Sequence, residues 1–287
     1  MEVRTLLEVS QPRGRGRWPA FVAGLGMVLA VGVLSMAQRS DGAEQSAQTA
    51  ISLLMLLALV GLTAYNYHQA RARRKEQAQV EAAEELVQLR RWPQAAMALQ
   101  SVLSRPAYLP MARFQALLYF TSVLSRFHRF DDVIEICDHL LQILPPTAPP
   151  VHMIKVTRGM ALLRQDRLFD ADRAISDLRR FPQSNESGAL ALLELYRDVK
   201  TGHPNEALEM FGVRRDQIAR QLGHRVADAY VLAAKAHDLL GHTDAAQAAY
   251  EAATLLAPAG ELRRRYPEIA DLAAKYRQTE APAEVLA

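Results

Sequence analysis

The stretch GHTDAAQAAYEAATLLAP, from Gly241 to Pro258, begins with a turn glycine and ends with a proline. Between them Ala246, Tyr250 and Ala253 recur at steps of four and three, the spacing of one face of an α-helix. Small residues on that face permit close packing against a neighbour. Taken alone, the stretch is one amphipathic helix. Repeated along the chain, it is one unit of an array, and an array implies an extended binding surface.

The arrangement does recur. After a turn, an apolar or small residue is followed at +4 and +7 at Ala95, Leu99, Val102; Val133, Cys137, Leu140; Ala171, Ile175, Leu178; Ala207, Phe211, Arg214; and Ala246, Tyr250, Ala253. The first members are separated by 38, 38, 36 and 39 residues. Three positions earlier stand Trp92, Phe130, Leu168, Pro204 and Thr243, and a proline closes four copies at Pro106, Pro145, Pro182 and Pro258. Twelve positions before each marker lie Ala83, Thr121, Gly159, Leu195 and Ala234. They predict a preceding helix in each copy, roughly over 79–90, 113–126, 153–164, 188–200 and 227–240, close to its partner at the small residue. Residues 79–260 therefore read as about five helix–turn–helix repeats.

This pattern resembles the tetratricopeptide repeat (TPR) family. The last copy carries the likeness best: Tyr230, Ala233, Ala234, Gly241, Ala246, Tyr250, Ala253 and Pro258 stand where that family's motif wants large, small, small, glycine, small, aromatic, small and proline. The resemblance implies a helical solenoid whose first helices line a concave groove. Departures are specific. Most copies exceed the family's period of about 34 residues. The third copy has Lys155 and Arg158 where apolar residues belong; the fourth has Glu194, Asp198 and Arg214 at packing positions and lacks the closing proline. An irregular helical bundle is the plainer alternative. A pentatricopeptide RNA reader is another, but needs base-reading pairs and a basic groove.

Ahead of the array lie two uncharged runs. Trp18–Gln38, with the apolar heart of the second at Ile51–Tyr65, predicts transmembrane helices over 18–38 and 49–68. A cleavable signal peptide is the alternative for the first. Arginines at 4, 13, 15 and 17 and the cluster Arg71, Arg73, Arg74, Lys75 flank the pair, whereas the connecting segment 39–48 holds one arginine against two acids. Positive-inside then places both ends in the cytoplasm, making a multi-pass protein of the cell membrane, in a composition that leans towards a bacterial inner membrane. The remaining boundaries are a cytoplasmic N-terminal segment 1–17, a basic helical stalk 69–78, a capping helix 261–278 and a disordered tail 279–287. The fold expected is all-α: a two-helix transmembrane hairpin followed by a TPR-like helical solenoid.

Charge and chemistry narrow the function. The net charge is +3, with +1 from residues 1–68, so no basic stripe points to nucleic acid. The single cysteine, Cys137, sits at an apolar position of its helix and reads as core. The eight histidines are scattered, His128 and His139 reading as turn or surface residues. Asp131 and Asp132 read as a dipole-favouring pair at a helix start. No phosphate loop, zinc signature or nucleophile elbow is present, so neither an enzyme nor a cofactor is expected.

What remains is a surface. Groove-facing candidates by spacing are Leu118 and Ser122; Val156, Met160 and Leu163; Leu192 and Tyr196; and Val231 and Lys235. Arg126, Arg164 and Lys200 recur at one repeat position as a basic ladder, or as a solvated face. The function expected is a membrane-anchored scaffold that binds a peptide or helix of a protein partner in this groove at the cytoplasmic membrane face. Its basic cluster at Arg71, Arg73, Arg74 and Lys75 contacts anionic lipid or merely sets topology. An accessory subunit of a membrane enzyme or transport complex, and a self-assembling structural protein, are the alternatives.

Overall fold

In the computed structural model, residues 2–12, 44–181 and 186–276 are described, the side chains of 44–54 and of His224 excepted. The expected first span, the rest of segment 1–17 and the tail 279–287 lie outside these residues. Every regular element among the described residues is helical. In order they are α1 (Val3–Val9), α2 (Glu44–Gln88), α3 (Trp92–Leu103), α4 (Pro110–Arg126), α5 (Phe130–Ile143), α6 (Pro150–Arg164), α7 (Leu168–Arg179), α8 (Gly188–Lys200), α9 (Pro204–Leu222), α10 (Val226–Leu239), α11 (Thr243–Leu256), α12 (Ala259–Arg265) and α13 (Ala270–Lys275). Short 3₁₀ turns precede α10 and α13. The chain divides into two compact units, residues 1–127 and 128–287.

The repeat is written into the backbone. Arg90, His128, Asp166, Gly202 and Gly241 all have φ between 57° and 76°, and they stand 38, 38, 36 and 39 residues apart, the same steps as the packing markers. Each ends the first helix of a pair in left-handed conformation. At four of these turns the next amide reaches back five residues: Arg91 to Leu86, Arg167 to Leu162, His203 to Asp198 and His242 to His237, at 2.8–3.0 Å. That closure satisfies carbonyls that a helix end otherwise leaves open. Glycine enters αL freely, whereas Arg90, His128 and Asp166 do so against about 1–2 kcal/mol of steric opposition.

The markers are core. Ala95, Leu99, Val133, Cys137, Leu140, Ala171, Ile175, Leu178, Ala207, Ala246 and Ala253 are all essentially inaccessible. In the second unit α6 packs on α7, α8 on α9 and α10 on α11, and the first helices also pack on one another, α6 against α8 and α8 against α10. At Gly159 α6 lies close against α8: a Cβ there would lie 2.9 Å from Leu193 Cδ2. The charged departures of the third copy are accommodated at its edge, Arg158 pairing with Asp138 at 2.6 Å and Lys155 lying 4.9 Å over the Phe181 ring. Within the first unit α2, α3 and α4 pack together. Glu76 of α2 holds the entry to α4 by accepting hydrogen bonds from the Tyr108 and Leu109 amides, both at 2.9 Å.

The transmembrane hairpin is not upheld. Among the described residues no helix is long and apolar enough to cross a membrane, and the multi-pass membrane location falls with it. The physical reason is visible in α2. Its apolar heart, Ile51–Tyr65, is shorter than the ~20 residues that a hydrocarbon core requires, and Asn66, His68, Gln69 and the Arg71 cluster follow at once. The structure makes this run the front half of one helix, Glu44–Gln88, that continues through the basic cluster into the first repeat. Met55–Val60, Leu62, Arg71, Arg73, Arg74 and Lys75 are exposed along it.

Candidate functional site

The expected groove residues of the second unit lie on α6, α8 and α10, and they are covered. Val156, Met160, Leu163, Leu192, Tyr196 and Val231 are buried. Much of the cover is the chain's own C-terminal segment, whose Leu262, Tyr266, Ile269 and Leu272 are wholly inaccessible. The Tyr266 ring meets Tyr196 edge-on at 5.0 Å, and the Arg164 guanidinium lies 5.8 Å from its centre. Glu268 accepts from the Tyr196 hydroxyl at 2.9 Å and from Lys200 Nζ at 2.7 Å. Lys235 pairs with Asp271, and Lys275 with Asp238 at 2.8 Å. At the base, the buried Asp228 is held by Arg265 and by Arg225. Burial, reinforced by Glu268, pushes the Tyr196 phenol up, so it stays a donor to that carboxylate.

The segment expected over 261–278 to cap the last repeat thus runs, through residues 261–276, across the inner helices of several. The basic ladder at Arg164 and Lys200 meets an aromatic ring and a carboxylate of this segment. Arg164 also lies 5.5 Å over Phe130, as Arg126 lies 4.8 Å over Trp92 in the first unit. This is a repeat-wise stacking between the end of one first helix and the opening residue of the preceding second helix. Leu118 and Arg126 are half-buried and Ser122 exposed on α4.

An open site lies elsewhere in the second unit. A cleft of 470 Å³ runs between the end of α7, α8 and the first half of α9. Glu194, Asp198 and Arg214, the three departures from the packing pattern in the fourth copy, all line it, with Arg179, Arg197, His203, Glu206, Glu209, Met210 and Val213. Arg179 pairs with Glu194 at 2.7 Å, and Arg197 lies 2.8 Å from Asp198 and 3.4 Å from Asp172. Burial holds the Asp198 carboxyl above its ordinary range; Arg197 opposes this and Glu194, four residues back on the same helix, adds to it. Glu206 and Glu209 are exposed and have no ion-pair partner among the described residues. Val213 is 79% exposed at the lip. Arg179 and Arg197 are thus engaged by carboxylates of the cleft and of α7, while Glu206, Glu209 and Val213 are exposed at its rim.

Cys137 is 1% exposed, and burial pushes its thiol up to about 12, with Asp138 adding to the shift and Arg158 opposing it. At neutral pH it is an inert thiol. No group of three or more His, Cys, Asp or Glu side chains among the described residues is placed to hold a metal ion.

The first unit holds a feature the sequence reading passed over. In α1 and its C-cap, Val3, Leu6, Leu7 and Ser10 are buried, while Arg4, Thr5, Glu8 and Val9 are exposed. That is the i, i+3, i+4, i+7 pattern of a helix laid into a groove. Arg113 of α4, itself 5% exposed, donates to Ser10 Oγ and to the Leu7 carbonyl, both at 3.0 Å. A cation there suits the negative end of a short helix. The seating is finely balanced. Burying three such aliphatic side chains contributes about 5–9 kcal/mol. Ordering the backbone of the helix's seven residues opposes it by about 7–14 kcal/mol.

No protein-family model, no curated protein and no solved structure matches the chain.

Proposed function

We propose that the chain is a helical-repeat scaffold that binds a protein partner through the cleft between α7, α8 and α9. The reading rests on one observation: the three residues that break the packing pattern of the fourth copy are gathered in a single open cleft. Side chains that weaken a core are retained where they serve a surface. The cleft has the mixed character of a recognition site, with exposed Glu206 and Glu209 beside the apolar Val213 and Met210. The inner face of the same unit supports the choice, because the C-terminal segment already fills it. A scaffold of TPR-like repeats is the form this takes, with binding rather than catalysis as its activity.

The test is copurification of partners with the full chain, with Glu206→Lys/Glu209→Lys, and with Arg173→Glu, an exposed change on α7 away from the cleft. A partner retained by the parent and by Arg173→Glu but lost from the double variant supports the cleft. Equal retention by all three refutes it.

A further inference from the structure

The front half of α2 carries the largest apolar exposure in the first unit. Its eight large apolar side chains from Met55 to Tyr67 are each 40–66% exposed. Together they present roughly 800 Å² of apolar surface, more than the largest patch of a typical monomer and about what one partner contributes to a stable interface. The exposure is ordered. The buried stripe of α2 runs forward through Ala83, Val80 and Glu76 and continues, half-buried, through Ala72 and Gln69. Steps of three and four then carry it to Tyr65, Leu62, Ala58 and Met55, and Tyr65 and Leu62 are the least exposed of the eight large side chains or their neighbours on this face. From Met55 to Glu76 the steps alternate strictly as 3, 4, 3, 4, 3, 4, the seam of a two-stranded coiled coil. The face by which α2 packs inside its unit is thus prolonged, uncovered, for about three more turns. A Cβ at Gly61, beside this seam, would meet nothing within 4 Å, so the backbone there is open to close approach.

Charge sets the direction in which such a seam can pair. Arg71, Arg73, Arg74 and Lys75 are exposed just behind the apolar run, and Glu44 is the one Asp, Glu, Lys or Arg between residues 44 and 70. Two parallel helices would set the basic clusters side by side. Two antiparallel helices set each cluster beside the acidic start of the other. We propose that the front of α2 is a homodimer interface, on which a second copy of this chain lays the same helix antiparallel about a two-fold axis near Val60. Met55 of each copy then meets Tyr65 of the other, and Ala58 meets Leu62. The two Gly61 positions face each other at the edge of the seam. The pairing uses none of the residues of the cleft on α7–α9, so either reading can fail without the other.

The test is sedimentation of the full chain across a concentration series, joined to disulfide trapping with copper phenanthroline. The parent should sediment at twice the chain mass, and Ala58→Glu/Leu62→Glu should weaken the dimer at least tenfold. Leu57→Glu/Val60→Glu, on the outer side of the helix, should leave it within about threefold. Trapping reads the arrangement in chains with a single substitution each, and Cys137, 1% exposed, stays silent. Gly61→Cys should link to itself. Met55→Cys and Tyr65→Cys should each fail to link alone and should link when mixed. Self-linking of Met55→Cys and of Tyr65→Cys, with no mixed product, would mean a parallel pair and overturns the antiparallel interface. A dimer that resists Ala58→Glu/Leu62→Glu places the interface elsewhere and overturns it too. So does a parent that stays monomeric, whether the run is then protected from hydrogen exchange by another segment of the same chain or by added phosphatidylcholine vesicles.

Discussion

Tyr266 offers two substitutions whose effects should run in opposite directions. Its side chain is wholly inaccessible, edge-on to Tyr196 and beneath Arg164. Truncation to alanine removes a buried aromatic of ~150–250 Å² and leaves a cavity, for an expected loss of about 3–5 kcal/mol. The hydroxyl is a different matter. It is buried with no hydrogen-bond partner, and burial, joined by Asp228, pushes its phenol up to about 12, so it remains protonated. An unsatisfied buried polar group opposes folding by about 1–3 kcal/mol. Tyr266→Phe deletes it without orphaning another group, so that variant should equal the parent or exceed it by about 1 kcal/mol. The assay is hydrogen-exchange mass spectrometry across a urea series, which reads α6, α8 and α10 separately from the first unit. Lowered protection of those helices in Tyr266→Ala with unchanged or raised protection in Tyr266→Phe is expected. A clear loss in Tyr266→Phe would mean that the hydroxyl is bonded. Near-neutral Tyr266→Ala would mean that the C-terminal segment is not seated on the inner helices.

Other consequences follow from the turns, the cleft and the core. Gly241→Ala places a Cβ at φ 76° and should lower stability by about 1–2 kcal/mol. Arg90→Gly relieves the same strain and, after the greater unfolded-chain entropy of glycine, should gain about 0.5–1 kcal/mol in thermal melts. Because the Asp198 carboxyl is held above its unfolded value, its contribution is complete below about pH 4 and is lost as pH rises through the raised value. Asp198→Asn should therefore be at least as stable as the parent at pH 7, and the difference should narrow towards pH 4; destabilisation at pH 7 alone contradicts this. Cys137 should resist iodoacetamide at pH 8 in the folded chain and react on unfolding, at a rate that reports opening of α5.

The helical repeats were legible because period and turn chemistry agree. The steps between packing markers in the sequence are those between left-handed residues in the backbone, even where Arg90, His128 and Asp166 stand in place of glycine. The membrane hairpin misled because a window of apolar residues says nothing about where its helix ends. The Met55–Leu62 run belongs to a helix that continues to Gln88. The closure of the inner face was not legible, since Glu268 lies 68 residues from Lys200 and 72 from Tyr196. The repeat pattern carries no signal about a segment folding back. The cleft announced itself only as a blemish: Glu194, Asp198 and Arg214 were readable as misfits, but spacing could not show that they converge. At α1 the period was present at Val3, Leu6, Leu7 and the C-cap Ser10, but a helix of seven residues is too short for periodicity alone to announce it.

Photocrosslinking from single positions addresses the proposed binding surface most directly. A benzophenone amino acid is placed at Val213 on the cleft lip and, separately, at Phe169 and Leu255, which are 80% and 87% exposed. The full chain is crosslinked in its native cells. The account predicts one partner band from Val213, abolished by Glu206→Lys/Glu209→Lys, and none of that mass from Phe169 or Leu255. A partner captured from either of those positions but not from Val213 would contradict it.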